Sequence, residues 1–440
     1  MTRRFNILPL LTAALLLIPG LARAIDVQEV TSPSGIEAWL VEEDSIPFVA
    51  IEIWFNGGAS LDAPDSRGAV HLMTNLLEEG AADMDARAFA EATEGLAASF
   101  GFDTYRDAVV VSAQMLTENR DAAAELLRDA LTEPRFDEDA IERVRGQVLA
   151  TIESDQRDPQ NIAGRTFNAL AWGDHPYGSA LEGTTESVTA LSRDDILAAH
   201  GDVLARDRVV VGAAGDISAE ELGLLIDAIL ADLPAEGAPM PPMADYQLPP
   251  GTTVVDFPSP QSVALFGHEG IPRDDPDFFP AFVLSQVLGG GNFSSRLMQE
   301  VRVERGLTYG IYASIGLAEY GQTVSGQFSS SNELVAEAID VIRAEWADLS
   351  ENGITEAELE AAKRYLTGAY PLRFDGNGRI AGILASMQAA DMPVDYIATR
   401  NDQVEAVTVE DVARVAERLL RPEDLHFVVV GRPEGLEPSN

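Results

Sequence analysis

Two segments of this 440-residue chain recur at almost the same distance, and that recurrence constrains the fold more than any single motif. Residues 131–152 (LTEPRFDEDAIERVRGQVLATI) and 349–370 (LSENGITEAELEAAKRYLTGAY) each run from a leucine through a turn into a helix start rich in Asp or Glu. Residues 191–212 (LSRDDILAAHGDVLARDRVVVG) and 407–431 (VTVEDVARVAERLLRPEDLHFVVVG) each read as a capped helix followed by a strand ending in Gly. Offsets of 218 and 216 residues describe a domain duplicated once, not a short solenoid period. The Pro-rich stretch 236–250 (EGAPMPPMADYQLPP) falls between the copies as an exposed connection. The expected organisation is an N-terminal domain at 25–235, a linker at 236–250 and a C-terminal domain at 251–440.

Strands and helices are mixed within each half. Pro47 to Phe55 alternates, placing Val49, Ile51, Ile53 and Phe55 on one face, and residues 109–115 and 209–211 read as further strands. Helices are expected at 67–79, 86–97, 118–131 and 137–153. Sequence-adjacent strands with runs of helices between them predict an α+β fold: two duplicated domains, each a largely antiparallel sheet with helices packed on one face.

Arg3 and Arg4, the apolar run Leu10 to Ile18 and the Ala22-Arg23-Ala24 site compose a secretory signal over residues 1–24. No later stretch is long and uncharged enough to span a membrane. The chain is expected to be exported, most simply to a bacterial periplasm. It has no cysteine, so disulfides and thiolate metal ligands are excluded. Removing Arg3, Arg4 and Arg23 from 30 basic residues leaves 27 against 72 acidic ones, which argues against nucleic acid as a partner.

Two segments carry chemistry. Residues 54–80 (WFNGGASLDAPDSRGAVHLMTNLLEEG) predict a strand, a Gly-rich turn, a helix capped by Ser66 and a stop at Gly80. Residues 289–315 (GGGNFSSRLMQEVRVERGLTYGIYASI) predict a Gly-rich loop, a helix from about Ser294 to Arg305, and a strand with Leu307, Tyr309, Ile311 and Ala313 on one face. The loop lacks the G-K-[ST] of a phosphate-binding loop. Between these segments lie a helix over 147–158 that closes on Asp158-Pro159 and the loop His175-Pro176-Tyr177-Gly178.

In this combination the chain resembles the insulinase/pitrilysin-like zinc peptidases, in their two-domain, processing-peptidase-like branch. The resemblance covers nearly all of residues 25–440. In that family the first helix carries H-x-x-E-H, two zinc-binding His and a water-activating Glu. Here the five positions are His71, Leu72, Met73, Thr74 and Asn75. The family's distal Glu ligand falls on Ala150 or Thr151. Catalytic zinc requires about three protein ligands, and hydrolysis requires a base beside the water. Thr74 cannot be that base and Asn75 is a weak ligand, so no metal is expected in this chain. His175 reads as turn chemistry, and His200, His268 and His426 have no partners at ligand spacing.

Family members also carry an Arg and a Tyr seven positions apart in the second segment, which Arg302 and Tyr309 match. Arg305 is the alternative if the register shifts. The resemblance implies that Arg302 and Tyr309 bind substrate carbonyls and stabilise an oxyanion at a zinc site in trans, with Gly289, Gly290, Gly291 and Asn292 lying against substrate. It implies the non-zinc subunit of a heterodimeric peptidase, with zinc in a homologous partner subunit and peptides or unfolded segments as substrate. The competing expectation is a non-catalytic peptide-binding or scaffold protein.

Overall fold

The computed structural model describes residues 26–290 and 293–438; the expected signal segment lies outside them. The first half contains strands β1 (Gln28–Thr31), β2 (Glu37–Glu42) and β3 (Phe48–Asn56), the minor hairpin β4 (Gly80–Ala81) and β5 (Met84–Asp85), then β6 (Ser99–Thr104), β7 (Ala108–Leu116) and β8 (Val209–Gly215). Its helices are α1 (Ala69–Asn75), α2 (Ala86–Gly95), α3 (Arg120–Thr132), α4 (Glu138–Asp155), α5 (Pro159–Trp172), α6 (Thr185–Ala190), α7 (Arg193–Val203) and α8 (Ala219–Leu230). The second half contributes β9 (Gly251–Asp256), β10 (Gln261–Glu269), β11 (Ile311–Ala318), β12 (Gly321–Ser331) and β13 (His426–Gly431). Its helices are α9 (Phe278–Gly289), α10 (Val335–Asn352), α11 (Glu356–Ala369), α12 (Asn377–Ala389), α13 (Tyr396–Glu405) and α14 (Val409–Leu419).

The first sheet has strand order β1-β2-β8-β3-β7-β6 and the second β11-β12-β10-β13-β9. Read from β9, the second repeats the order β2-β8-β3-β7-β6, and each sheet is antiparallel except for one parallel pair, β2 with β8 and β9 with β13. The sequence repeats fall on equivalent elements, α4 with α11 and α7-β8 with α14-β13. A strand presents alternate side chains to opposite faces. Val49, Ile51, Ile53 and Phe55 are therefore buried together, forming one core with α1, α3, α4 and α7.

Helices were expected on one face of each sheet, and a finer arrangement is found. The second face is covered by a helix from the other half. α12 lies on β3 and β8 of the first sheet, and α5 lies on β10 and β13 of the second. Gly212 in β8 permits the α12 crossing, because a Cβ there would sit 2.1 Å from the Ala381 carbonyl oxygen. Gln388 Nε2 fixes the register by donating to the Val211 carbonyl at 2.8 Å. In α5, Ala163, Phe167, Ala171 and Trp172 pack against Val428 and Val430 of β13.

The 236–250 segment carries no helix or strand, but it is less free than its composition suggested. Ala244 N donates to the Tyr320 carbonyl, Gln247 N donates to the Ala171 carbonyl, and Leu248 is buried. No helix among the described residues is long and apolar enough to cross a membrane.

Candidate functional site

α1, the helix that carries His71, Thr74 and Asn75, is short and anchored from its N-terminal side. Ser66 was expected to cap it; the N-cap is Gly68, in a left-handed conformation with φ 91°. A Cβ there would approach the Glu182 carbonyl oxygen to 2.4 Å, a position only glycine occupies without strain. Asp62 holds the start of the helix, its carboxylate accepting from the N-cap Gly68 N at 2.7 Å and from Val70 N at 2.9 Å, while Ala69 N donates to the Ser66 carbonyl. Arg67 Nη1 donates to the Asp62 carbonyl. Burial pushes the Asp62 carboxyl up to about 6, outweighing the lowering by those two bonds and by Arg67. The sequence reading missed Asp62; its signal is an acid six residues ahead of a glycine that opens a helix.

Along α1, each replaced position bonds to the helix itself. Thr74 is fully buried and its hydroxyl donates to the Val70 carbonyl at 2.8 Å. Asn75 Nδ2 donates to the His71 carbonyl at 2.7 Å and lies 3.4 Å from His71 Nε2. His71 Nδ1 is buried with no hydrogen-bond partner among the described residues. Burial holds this imidazole below its ordinary pKa, with Glu182 pulling the other way. Ala150 and Thr151 lie exposed on α4, the Thr151 hydroxyl bonded to the Gln147 carbonyl. This donor set does not fit zinc: it offers one imidazole, a hydroxyl turned into the helix and no carboxylate at the distal position. Among the described residues no cluster of three or more His, Asp or Glu could hold a metal.

The other His residues have structural partners. His175 Nδ1 accepts from Tyr177 N, and its Nε2 lies 3.0 Å from the Pro242 carbonyl oxygen. Tyr177 then reaches across the molecule: its hydroxyl donates to Asp107 at 2.6 Å and accepts from Tyr320 N at 2.9 Å. Arg106 lies over the Tyr177 ring, 5.0 Å from its centroid. This joins the β6–β7 and β11–β12 turns, one from each half. His200 meets the Leu131 carbonyl, His268 meets Trp346 and the Glu269 carbonyl, and His426 meets Thr253 and the Pro249 carbonyl.

The second segment departs from its expected geometry in two ways. The helix expected over about 294–305 has a turn and a bend at 293–295 and then winds as a π-helix over Met298–Glu304, a form that recurs at functional sites. The strand begins at Ile311, so Tyr309 does not share the face of Leu307, Ile311 and Ala313. Those three are buried, whereas Tyr309 is 85% exposed. The alternation breaks because the Thr308 hydroxyl bonds the Gly310 and Ser329 carbonyls and accepts from Gly310 N. This tight turn throws Tyr309 outward.

The arginines also separate. Arg305 pairs with Glu300 of its own segment. The Arg302 guanidinium lies 4.7 Å from the Phe293 ring centroid and makes no ion pair among the described residues. Gly289 ends α9 against β11, where a Cβ would come within 2.4 Å of Ala313 N, and at Gly290 it would strike Gln286. These two glycines serve close packing; Gly291 and Asn292 lie outside the described residues. β6 and β11 are the outer strands at the corresponding ends of the two sheets.

A duplicated α+β unit whose two sheets share one strand order is the architecture of a peptidase fold family. The chain belongs to peptidase family M16. Residues 39–185 match its Insulinase (Peptidase family M16) domain and residues 190–366 match the Peptidase M16 inactive domain. Among its relatives, the "Non-peptidase homolog YmxG" of Helicobacter pylori is 26% identical over 423 residues, covering 96% of this chain and 98% of that protein. The "Uncharacterized zinc protease YmxG" of Bacillus subtilis is 25% identical over 430 residues, covering 94% of this chain and 100% of that protein. The crystal structure of a peptidase M16 inactive domain from Pseudomonas fluorescens has a TM-score of 0.88 at 29% identity, covering 94% of this chain and 100% of that one.

Proposed function

We propose that this chain is the non-zinc subunit of a two-subunit exported metallopeptidase that cleaves peptides or unfolded segments. The zinc and the water-activating Glu belong to a homologous partner, and this chain contributes Arg302 and Tyr309 to the partner's site. The supporting observation is the contrast between the two segments. In α1 the replaced side chains bond to their own helix, whereas Tyr309 projects into solvent and Arg302 is stacked on Phe293 without a carboxylate partner among the described residues. A guanidinium and a phenol supply fixed donors for a substrate carbonyl and for the oxyanion it becomes. An extended substrate could add to an outer strand of either sheet. Export to the periplasm belongs to the same reading.

The test is to purify the chain alone and together with a zinc-bearing homologue. The lone chain should carry no stoichiometric zinc and cleave no peptide, and the pair should cleave. Zinc with peptidase activity in the lone chain overturns the reading. A second reading, a non-catalytic peptide-binding or scaffold protein, is favoured by relatives described as a non-peptidase homologue and an inactive domain. It predicts peptide binding with no effect of Tyr309 on cleavage.

A further inference from the structure

A cavity of about 220 Å³ lies between α9, the turn after α11, and helices α12 and α13, and it opens beside a larger chamber of about 890 Å³. Arg273, Phe278, Met392 and Tyr396 line both. The smaller cavity is lined by three arginines, Arg273, Arg373 and Arg400, and by no Asp or Glu. That is an inverted environment in a chain whose formal net charge is -42.

The arginines are held by rings, not by carboxylates. The Arg273 guanidinium lies between Phe278 at 4.6 Å and Tyr396 at 5.1 Å from the ring centroids. Its Nη2 donates to the Tyr396 hydroxyl at 2.8 Å and approaches Met392 Sδ; Nε and Nη1 make no hydrogen bond among the described residues. Arg400 is 5% exposed, stacked on Tyr370 and Phe282, with Nη1 bonded to the Leu366 carbonyl and Asn401. Burial lowers its proton affinity, Arg373 adds like-charge repulsion, and no carboxylate is among the groups that offset them. Guanidinium groups crowded without counter-charge are stabilised by an anion that brings its own apolar body, since aromatic walls reward apolar burial and arginine's fork fits a carboxylate.

We propose that this cavity binds an organic monocarboxylate whose acid group meets Arg273 and Arg373 and whose apolar chain or ring lies among Phe278, Tyr370 and Tyr396. The mouth narrows the class. Asp274, Glu319 and Asp391 line the outer chamber and repel multiply charged anions more strongly than a single carboxylate, which disfavours phosphate-rich ligands. The ligand's source is either a free carboxylic acid or the C-terminal carboxylate of a peptide ending in an apolar residue. Nothing in this site depends on the role assigned to Arg302 and Tyr309.

The test is titration calorimetry on the full mature chain with 3-phenylpropionate, its amide, and a short peptide ending in Phe with either a free or an amidated C-terminus. The acid forms should bind saturably and the amides at least tenfold more weakly. Arg373→Gln, at an exposed residue, and Arg273→Met should each weaken the acids at least tenfold, with melting curves confirming that both variants fold. Tighter binding of the free-ended peptide assigns the site to peptide termini; equal or tighter binding of phenylpropionate assigns it to free acids. Equal affinity for acid and amide, no saturable binding of either acid, or unchanged affinity in Arg373→Gln overturns the proposal.

Discussion

The Thr74 hydroxyl donates to the Val70 carbonyl at 2.8 Å from a fully buried position, so this side chain is sealed inside its own helix. Thr74→Glu would bury an uncompensated carboxylate. It is expected to destabilise the protein by about 2–4 kcal/mol, whereas Thr74→Val should change stability by less than about 1.5 kcal/mol. Urea unfolding of the two variants measures the difference; equal effects would contradict the burial argument.

Asp62 makes the stability of the first half pH-dependent. Its folded-state pKa is raised from 3.8 to about 6, so the folded protein binds this proton more tightly than the unfolded chain does. The resulting stabilisation is present below about pH 4 and is lost as pH rises through about 6. Relative to Asp62→Asn, the wild type should therefore gain about 1–3 kcal/mol between pH 7 and pH 4.5. Denaturant melts of both proteins at the two pH values give the difference directly, and a pH-independent gap would exclude Asp62 as the source.

The contact between the halves has its own weak points. Gly212→Ala would drive a Cβ into the Ala381 carbonyl oxygen, at 2.1 Å, and displace α12 from β8. A loss of about 3 kcal/mol or more is expected, since backbone cannot yield as a flexible side chain does. Gly382→Ala, on the same helix, meets only the Glu52 carboxylate at 3.7 Å and should be tolerated. Differential scanning calorimetry separates the two.

Tyr177→Phe tests the other contact between the halves. It removes the hydroxyl that joins Asp107 to Tyr320 N and should cost about 1–3 kcal/mol by leaving partly buried partners unmet. Limited proteolysis should show faster cleavage in the 236–250 segment, which is docked against the same region through Ala244 and Tyr320. Unchanged proteolysis would mean that the Tyr177 hydroxyl is not needed to hold the halves together.

The duplication, the α+β class and the alternating core strand were legible because they are periodic, and packing obeys periodicity. The repeats at 131–152 and 349–370 fall on α4 and α11, and Val49 to Phe55 sorts by face as alternation demands. What escaped depended on individual contacts that periodicity does not carry. Nothing local marks α12 as belonging to the other half's sheet; that placement follows from Gly212, some 170 residues earlier. Ser66 resembled a cap because serine often is one, but Asp62 captures the N–H groups from outside the helix. Tyr309 resembled a strand residue until the Thr308 hydroxyl replaced strand pairing with a turn.

The same turn makes Tyr309 the most informative residue to change. At 85% exposure it contributes little to the core, so Tyr309→Phe should leave unfolding within about 0.5 kcal/mol of wild type. If the phenol stabilises an oxyanion at a partner's zinc, turnover by the assembled pair should fall about 10²–10³-fold with KM little changed, because the lost bond is made chiefly in the transition state. Arg302→Gln should instead raise KM as well, since a guanidinium that holds a substrate carbonyl acts before the reaction begins. Steady-state kinetics on the pair, with zinc content and assembly checked for each variant, separates these roles. A complex that assembles and turns over normally with both substitutions would leave the pair no part in catalysis and would favour the peptide-binding reading.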